Sequence, residues 1–376
     1  VLAYHSKVLL VHTSDWQIGM PALDMPPEAR ARFRQARIDA VDRILGLAEE
    51  RRAAAVLVAG DLFDSNFLGP DQVQRTLRVI ANHDVSVIAL PGNHDSLEPG
   101  AILARSELPH NLRVLVEPGI TEPIAGLQVV AAPWGSRIPA QNPAVAALAR
   151  LQAAGPRPTG VVRVLAAHGQ WRSYGTQAQH TPLPTERILA ALEAGLIDYV
   201  ALGDRHSLEL LAGGHVAYSG TPEVTADDEE DPGWVLVVDL EPGQPPHIEP
   251  VRIGRWRRLQ LDRELTRPAD LDALVAELEA LERPAETLVR LRLRGGLGLA
   301  SVLEARERLE HAGSALAGLA IDDTQLAMLP EGNDPTALGL HGAAAEAYAR
   351  LAEENSPTSR DALALLARLV RAEPRR

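Results

Sequence analysis

Five clusters of metal-capable side chains lie along residues 1–250, each directly behind an apolar run. In order they are Asp15 with Gln17, Asp61 with Asp64, Asn93 with His94 and Asp95, His168, and Asp204 with His206. Carboxylates, imidazoles and amide oxygens are ligands for divalent cations. The chain has no cysteine, which excludes disulfides, thiolate zinc sites, iron–sulfur clusters and a cysteine nucleophile together. A lone Gly-Asp or Asn-His-Asp carries little weight, because turns favour those residues anyway. The ordered set carries much more, since ligands of open α/β sheets gather at the carboxyl ends of strands.

The elements that position these residues can be read from periodicity. Residues 7–15, 54–61, 85–95, 127–135, 161–169 and 197–204 are short apolar, β-branched runs. Between them, 28–52, 70–82 and 184–195 place apolar residues at three- and four-residue spacing and read as helices. Continuous apolar strands separated by helices give sheets buried on both faces, the layered α/β class. Residues 215–220 and 233–241 read as strands with little helix between them, so that edge is expected to be antiparallel.

A Pro-rich connector at 241–250 marks a change of style. Beyond it, 255–328 alternates strand, helix, strand, helix and strand, a small α/β domain. Residues 330–339 read as a second linker, and 341–371 as two amphipathic helices split near Asn355–Pro357. The expected domains are therefore 1–253, 254–329 and 330–376.

The blocks HTSDWQIG, AGDLFDS, PGNHD, AAHG and LGDRHS, in that order, resemble the signature blocks of calcineurin-like metallophosphoesterases. Their intervals, and the small α/β domain that follows, are most similar to the SbcD-type DNA-repair exonucleases. The resemblance covers residues 7–222 closely and the second domain in outline. It implies a layered α/β/β/α core with a small α/β cap domain and C-terminal helices. It also implies two divalent metal ions, one held by Asp15, Gln17, Asp61 and His206, the other by Asp61, Asn93, His168 and Asp204. His94 would lie on a non-bridging phosphate oxygen. The partners implied are DNA and an SbcC-type ATPase, with a homodimer also open, in a cytoplasmic, nucleoid-associated setting.

The chemistry of such a site follows from its residue types. Two divalent ions about 3.5–4 Å apart polarise a phosphodiester, acidify a bound water and neutralise the leaving oxygen. Asp61 suits the bridging place because each of its oxygens can face one ion. Asn93 adds coordination without further charge. His94 needs a partner that fixes its tautomer, and Asp95 or Asp64 can supply it.

Two positions depart from the usual pattern. Gln17 stands where the first block usually has a histidine, and Asp204 where the last block does. Gln17 either coordinates or faces a neighbour. With both as ligands the set is harder and richer in oxygen, favouring Mn²⁺ or Mg²⁺ over Zn²⁺.

The net charge of −13 disfavours a protein that coats nucleic acid, though not an enzyme that meets phosphates locally. Arg137, Arg172 and Arg205 can supply such contacts at the same rim. Trp16 and Trp171 either stack a base there or pack. Arg255, Arg257 and Arg258 around Trp256 form either a nucleic-acid contact or a charged, exposed edge strand. His12 reads as a core histidine; His83, His110, His180, His215, His247, His311 and His341 read as surface or turn residues; Asp227–Asp231 reads as a solvated acidic loop. No apolar run approaches the roughly 18 residues of a membrane span, and the opening segment, broken by Lys7, is not expected to be a signal peptide. Three functions stay open at this point: a metal-dependent DNA nuclease, a small-nucleotide phosphodiesterase or phosphatase, and a weakly active DNA-end-binding scaffold.

Overall fold

The apolar runs become the inner strands of two stacked sheets. The computed structural model of the chain describes residues 7–23, 25–171, 182–329, 334–354 and 356–372. It divides into two compact units, Val1–Ala22 with Arg30–Arg255, and Leu23–Ala29 with Trp256–Arg376. The chain begins with β1 (Val8–Thr13), α1 (Pro27–Glu50), β2 (Ala55–Ala59), α2 (Pro70–Ala81), β3 (Val87–Leu90), a short α3 (Ile102–Arg105) and β4 (Leu112–Val114). It continues with β5 (Gly119–Ile124), β6 (Leu127–Ala131), α4 (Ala144–Ala154), β7 (Val162–His168), α5 (Thr185–Glu193) and β8 (Tyr199–Gly203). Next come β9 (Glu209–Leu211), β10 (Val216–Tyr218), β11 (Trp234–Leu240) and β12 (His247–Arg252).

The first sheet has the order β12-β11-β1-β2-β3-β4 and the second β5-β6-β7-β8-β10-β9. Every residue of β2, β3, β7 and β8 is buried, which is why these strands do not alternate and are apolar apart from Arg163 and the terminal His168 of β7. Leu10, Leu57 and Ile88 of the first sheet share a core with Val129, Val164 and Ala201 of the second. The opposite face of the first sheet, with Val11, Val58 and Val87, packs on Ile38, Val41, Ile44 and Ala48 of α1 and Leu77 and Ile80 of α2. The opposite face of the second, with Leu165, Val200 and Leu202, packs on Leu148 and Leu151 of α4 and Ile188 of α5. The layering is therefore α/β/β/α.

The expected antiparallel edge is only half correct. β11 runs antiparallel to β1 and β12, but β10 lies in the other sheet, parallel to β8 and antiparallel to β9. Strand order along the chain cannot reveal that the chain changes sheets between two neighbouring runs.

In the second unit, β13 (Arg257–Leu265), β14 (Thr287–Gly298) and β15 (Gly318–Leu329) form a parallel sheet in that order, joined through α6 (Pro268–Glu279) and α7 (Leu299–Gly313). Val289, Leu291 and Leu293 of β14 share a core with Leu274 and Leu278 of α6 and Leu309 of α7. Trp256 is buried and Arg257 exposed at the start of edge strand β13. The chain ends in α8 (Ala343–Glu354) and α9 (Pro357–Ala372). Ala364 and Ala367 of α9 pack with Ala327 of β15, and Leu363 packs with Tyr348 of α8. The stripe of Leu351, Leu363, Leu366 and Val370 is thus covered by the chain itself. Among the described residues no helix is long and apolar enough to cross a membrane.

One tie on α1 is sensitive to pH. His83 Nδ1 lies 2.9 Å from Glu49 Oε2, and its Nε2 lies 3.2 Å from Asp42 Oδ1. Burial lowers the imidazole pKa, but the hydrogen bonds and charges of Glu49 and Asp42 outweigh it and hold the group above 6.5. A histidine with a raised folded-state pKa stabilises fully below its unfolded pKa, and that contribution fades as pH rises through the folded value. Denaturant titrations should show stability falling as pH climbs past 6.5. His83→Gln should flatten that part of the profile, and an unchanged slope in the variant would assign it to other groups.

Candidate metal centre

Strand register brings the clusters together. Thr13 of β1 is level with Val58 of β2, Ala59 of β2 with Leu90 of β3, and His168 of β7 with Gly203 of β8. The residues just past these ends therefore share one rim. Asp15, Asp61 and His168, all buried, place ligand atoms within 4.8 Å of one another. Asn93 Oδ1 lies 2.8 Å and Asp204 Oδ1 3.7 Å from His168 Nε2. His206 Nε2 is 3.8 Å from Asp15 Oδ1. Gln17 Nε2 donates to Asp61 Oδ2 at 3.0 Å, and an amide turned the other way presents Oε1 at the same place. All seven candidate ligands named from the sequence thus converge.

The backbone is bent to deliver them. Eight non-glycine residues have positive φ among the described residues, and Asp15, Gln17, Asp61 and Asp204 are four of them. Such conformations are strained for side-chain-bearing residues and cluster at functional sites. Paired amides hold the turns: Asp15 N donates to Gly60 O at 3.0 Å and Gln17 N to Asp61 O at 3.1 Å. Gly60, at φ +106°, has no room for a side chain, because a Cβ there would run into the His168 ring.

Burial and neighbouring charge shift these groups in opposite directions. Burial pushes Asp15 and Asp204 up, partly opposed by His168 and His206. Burial also acts on Asp61, but His168 and His94 outweigh it and hold that carboxylate below its ordinary value. Burial would drive His168 down, yet Asp61, Asp15 and Asp204 keep it well above 6.5. His168 Nδ1 faces Ala59 O at 2.9 Å, so Nε2 is the nitrogen that faces the carboxylates. His206 is fixed in the same sense, its Nδ1 2.9 Å from Glu229 Oε1 and 2.6 Å from Thr225 Oγ1. Burial lowers its pKa, but Glu229 and Asp15 raise it to about 9. Three carboxylates, two inward-facing imidazole nitrogens and two amides, mostly out of water, fit divalent cations with oxygen-rich coordination.

His94 stands beside this group, half-buried, with its backbone N donating to Asp61 Oδ1 at 3.0 Å. Its Nδ1 donates to the main-chain carbonyl of Asp64 at 2.8 Å, which fixes the tautomer and leaves Nε2 for a substrate. The orienting partner is therefore the Asp64 backbone and not a carboxylate. Asp95 does not serve His94. It is buried and accepts Leu62 N at 2.8 Å, Phe63 N at 3.3 Å and Gly92 N at 2.7 Å, joining two of the loops. Burial and the Asp61 charge push Asp95 up to about 7, against the amides that favour its anion.

The substrate-contact candidates divide. Arg137 is exposed after β6 and is among the cations opposing the burial-raised pKa of Asp64. Arg205 is engaged by Glu209 at 3.0 Å and Glu230 at 3.5 Å. Arg172 lies outside the described residues, as does His180. Trp16 is buried, its Nε1 donating to Thr13 Oγ1 at 3.0 Å, and Trp171 packs on the α4–α5 core. Trp16 is therefore not a stacking surface, while Trp171 is half-buried. His12 is buried between the sheets, with Nδ1 2.9 Å from Tyr199 Oη and Nε2 3.3 Å from Leu202 O. Burial lowers its pKa to about 3, so it is a neutral core histidine.

Several supports escape the sequence reading. Glu229, expected in a solvated loop, folds back on Thr225 and His206. Trp134 Nε1 and Asn142 Nδ2 donate to His168 O at 3.0 and 3.2 Å. Buried Arg37 donates to Trp16 O at 2.9 Å and Glu223 O at 3.1 Å, tying the first motif to a distant turn. Only Trp134 had a local signal, since it follows an apolar strand at the same rim.

Partners that orient a metal-binding histidine typically change affinity 10–100-fold when mutated, about the size expected for Glu229→Gln. Calorimetric titration with Mn²⁺ should show that loss, while Asp228→Asn, in the exposed part of the same acidic run, leaves affinity unchanged. Equal effects of the two would mean that only the run's overall charge matters.

No curated protein matches the sequence. Among solved structures, a dimetal phosphatase from Danio rerio is similar at 10% identity and a TM-score of 0.37, over 64% of this chain and 98% of that one. That likeness is too loose to inform on activity. The family profile for calcineurin-like phosphoesterases matches residues 8–218, the stretch that carries all five clusters. The chain belongs to the calcineurin-like phosphoesterase family, whose chemistry is metal-dependent hydrolysis of phosphoesters.

Proposed function

We propose that this chain is a Mn²⁺-dependent DNA nuclease that processes DNA ends in double-strand-break repair. The observation that carries the reading is the convergence of Asp15, Gln17, Asp61, Asn93, His168, Asp204 and His206 beside a histidine with an open Nε2. One ion would be held by Asp15, Gln17, Asp61 and His206, and a second by Asp61, Asn93, His168 and Asp204. Bound there, the pair supplies Lewis-acid polarisation of the phosphodiester and an acidified water. The oxygen-rich set favours Mn²⁺, or Mg²⁺, over Zn²⁺.

The chain's own residues supply the rest. His94 Nε2, free because Nδ1 is tied to Asp64 O, donates to a non-bridging phosphate oxygen or protonates the leaving oxygen when the ring is in its doubly protonated, imidazolium form, and then returns to the neutral Nδ1–H tautomer. Arg137, exposed on the rim, adds positive charge for the strand's phosphates. Asp95 keeps the loops bearing Asp61 and His94 in register through three amides. The second unit favours a large substrate or partner over a small nucleotide.

Turnover on labelled duplex DNA, single-stranded DNA and a chromogenic diester, each with Mn²⁺, Mg²⁺ or Zn²⁺, tests the reading. DNA cleavage greatest with Mn²⁺ is expected; hydrolysis of the small diester alone would favour the small-nucleotide phosphodiesterase. His94→Gln should lower kcat about 10²–10⁴-fold while two Mn²⁺ ions still bind by calorimetry. Loss of metal with unchanged turnover per bound ion would overturn its role.

The same proposal includes an SbcC-type ATPase partner. Leu365 and Leu369 of α9, 51% and 57% exposed and one helical turn apart, support a contact on that face, since the opposite stripe is covered. Replacing both with serine should abolish co-purification with the ATPase while leaving diester hydrolysis intact; retained binding would move the contact elsewhere.

A further inference from the structure

The loop that leaves β2 begins with Asp61 and Asp64 and then presents an aromatic ring to solvent. Phe67 is 94% exposed. The residues on either side of it are fixed. Asn66 donates Nδ2 to Ser96 O at 2.8 Å, accepts Ile102 N at Oδ1 at 2.9 Å, and its carbonyl accepts Arg105 Nη2 at 3.2 Å. Leu68 packs on the core shared by the first sheet and its helices, closely enough that a Cβ at Gly19 would run into it. Phe67 N donates to Ser65 Oγ at 3.1 Å. The ring is therefore held outward on a segment anchored from both sides, and packing does not account for it.

A single exposed apolar residue is ordinary; its surroundings set this one apart. Three residues of chain span at most about 11 Å, so Phe67 sits close to Asp64, whose carbonyl holds His94. The loop after β6 carries a second exposed apolar residue, Ile138, 69% exposed and next to Arg137. Both loops are joined to the segment between them. Asn66 binds Ser96 and Ile102 on one side, while Arg137 N donates to Glu98 Oε1 and Leu97 N to Trp134 O, each at 2.8 Å, on the other. Arg105 and Arg137 are exposed on these same segments. An exposed aromatic face with Arg105 tied to the residue before it and Arg137 on the adjoining loop, beside a centre for phosphodiesters, matches a nucleic-acid strand, with its bases on the ring and its phosphates on the guanidinium groups.

We propose that Phe67 is a stacking platform for an unpaired base of the substrate strand, so that the centre engages frayed or single-stranded ends in preference to closed duplex. The inference rests on the reading of the chain as a DNA nuclease. Stacking on a ring is tolerant of sequence, because every base has a π-face, so no base preference is expected.

The test uses the full chain with Mn²⁺, a fluorescein-labelled single-stranded oligonucleotide and bis(4-nitrophenyl) phosphate. Phe67→Ala should raise KM and the anisotropy-derived Kd for the oligonucleotide about 5- to 150-fold, the range that losing one aromatic–base stack produces. Its kcat/KM on the small diester should stay at the wild-type value. Phe67→Trp should bind as wild type, and Phe67→Leu should behave as the alanine variant. Unchanged oligonucleotide KM in Phe67→Ala, or wild-type binding by Phe67→Leu, overturns the stacking role while the nuclease reading stands. A wild-type chain that hydrolyses the diester but cleaves neither the oligonucleotide nor duplex DNA overturns both.

Discussion

Asp15, Asp61 and Asp204 are drawn largely out of water and set around a single imidazole, and the first unit is organised to tolerate that concentration of negative charge. Each buried anion costs several kcal/mol unless it is compensated. His168 and His206 counter the charge directly, and the backbone amides of His94 and Asp204 donate to Asp61 and Asp15. Ser14 Oγ donates to Asp15 Oδ2 at 2.6 Å. The compensation is uneven, holding Asp61 below its ordinary pKa while Asp15 and Asp204 stay above theirs. A carboxylate that stays ionised between two sets of donors suits a shared ligand.

Placing ligands so tightly also bends the main chain. Four of them hold left-handed backbone, at a cost on the order of 1 kcal/mol or more each. Two features outweigh it. The strands leading into the turns are buried, apart from the half-buried Leu9 of β1, between a sheet and a layer of helices. Around the turns, Arg37 and Glu223 form a second buried frame: Glu223 pairs with Arg43 at 2.8 Å and accepts Arg255 N at 3.1 Å, while Arg37 fastens the carbonyls of Trp16, Glu223 and Val224. Rigidity there is what keeps side chains from separate strands at ligand distance.

The proposed substrate-facing role and the supporting role fall on neighbours in sequence. His94 and Asp95 are adjacent, yet one ring faces the open rim and the other carboxylate faces amides within the loops. Asp64 acts on His94 through its carbonyl, so any side chain at that position leaves the contact possible. The second unit is built on a different plan, a three-stranded parallel sheet whose C-terminal helices cover a face of their own.

Much of this was legible in the sequence. Largely apolar runs ending in Asp, Asn or His announced buried parallel strands and their metal-capable ends, because burial on both faces leaves few polar positions inside the strand. The seven candidate ligands were therefore visible one by one. What the sequence could not supply were contacts between segments far apart in the chain. The acidic run looked solvated because charge alone does not show that Glu229 turns back on His206. Trp16 and Trp171 looked available because an aromatic residue near a motif has the same composition whether it packs or projects. Phe67 went unnoticed because its exposure depends on Asn66 and Leu68 being held by partners that only the folded chain brings near. Local periodicity determined which residues reach the rim, and tertiary packing alone decided which way each side chain faces once there.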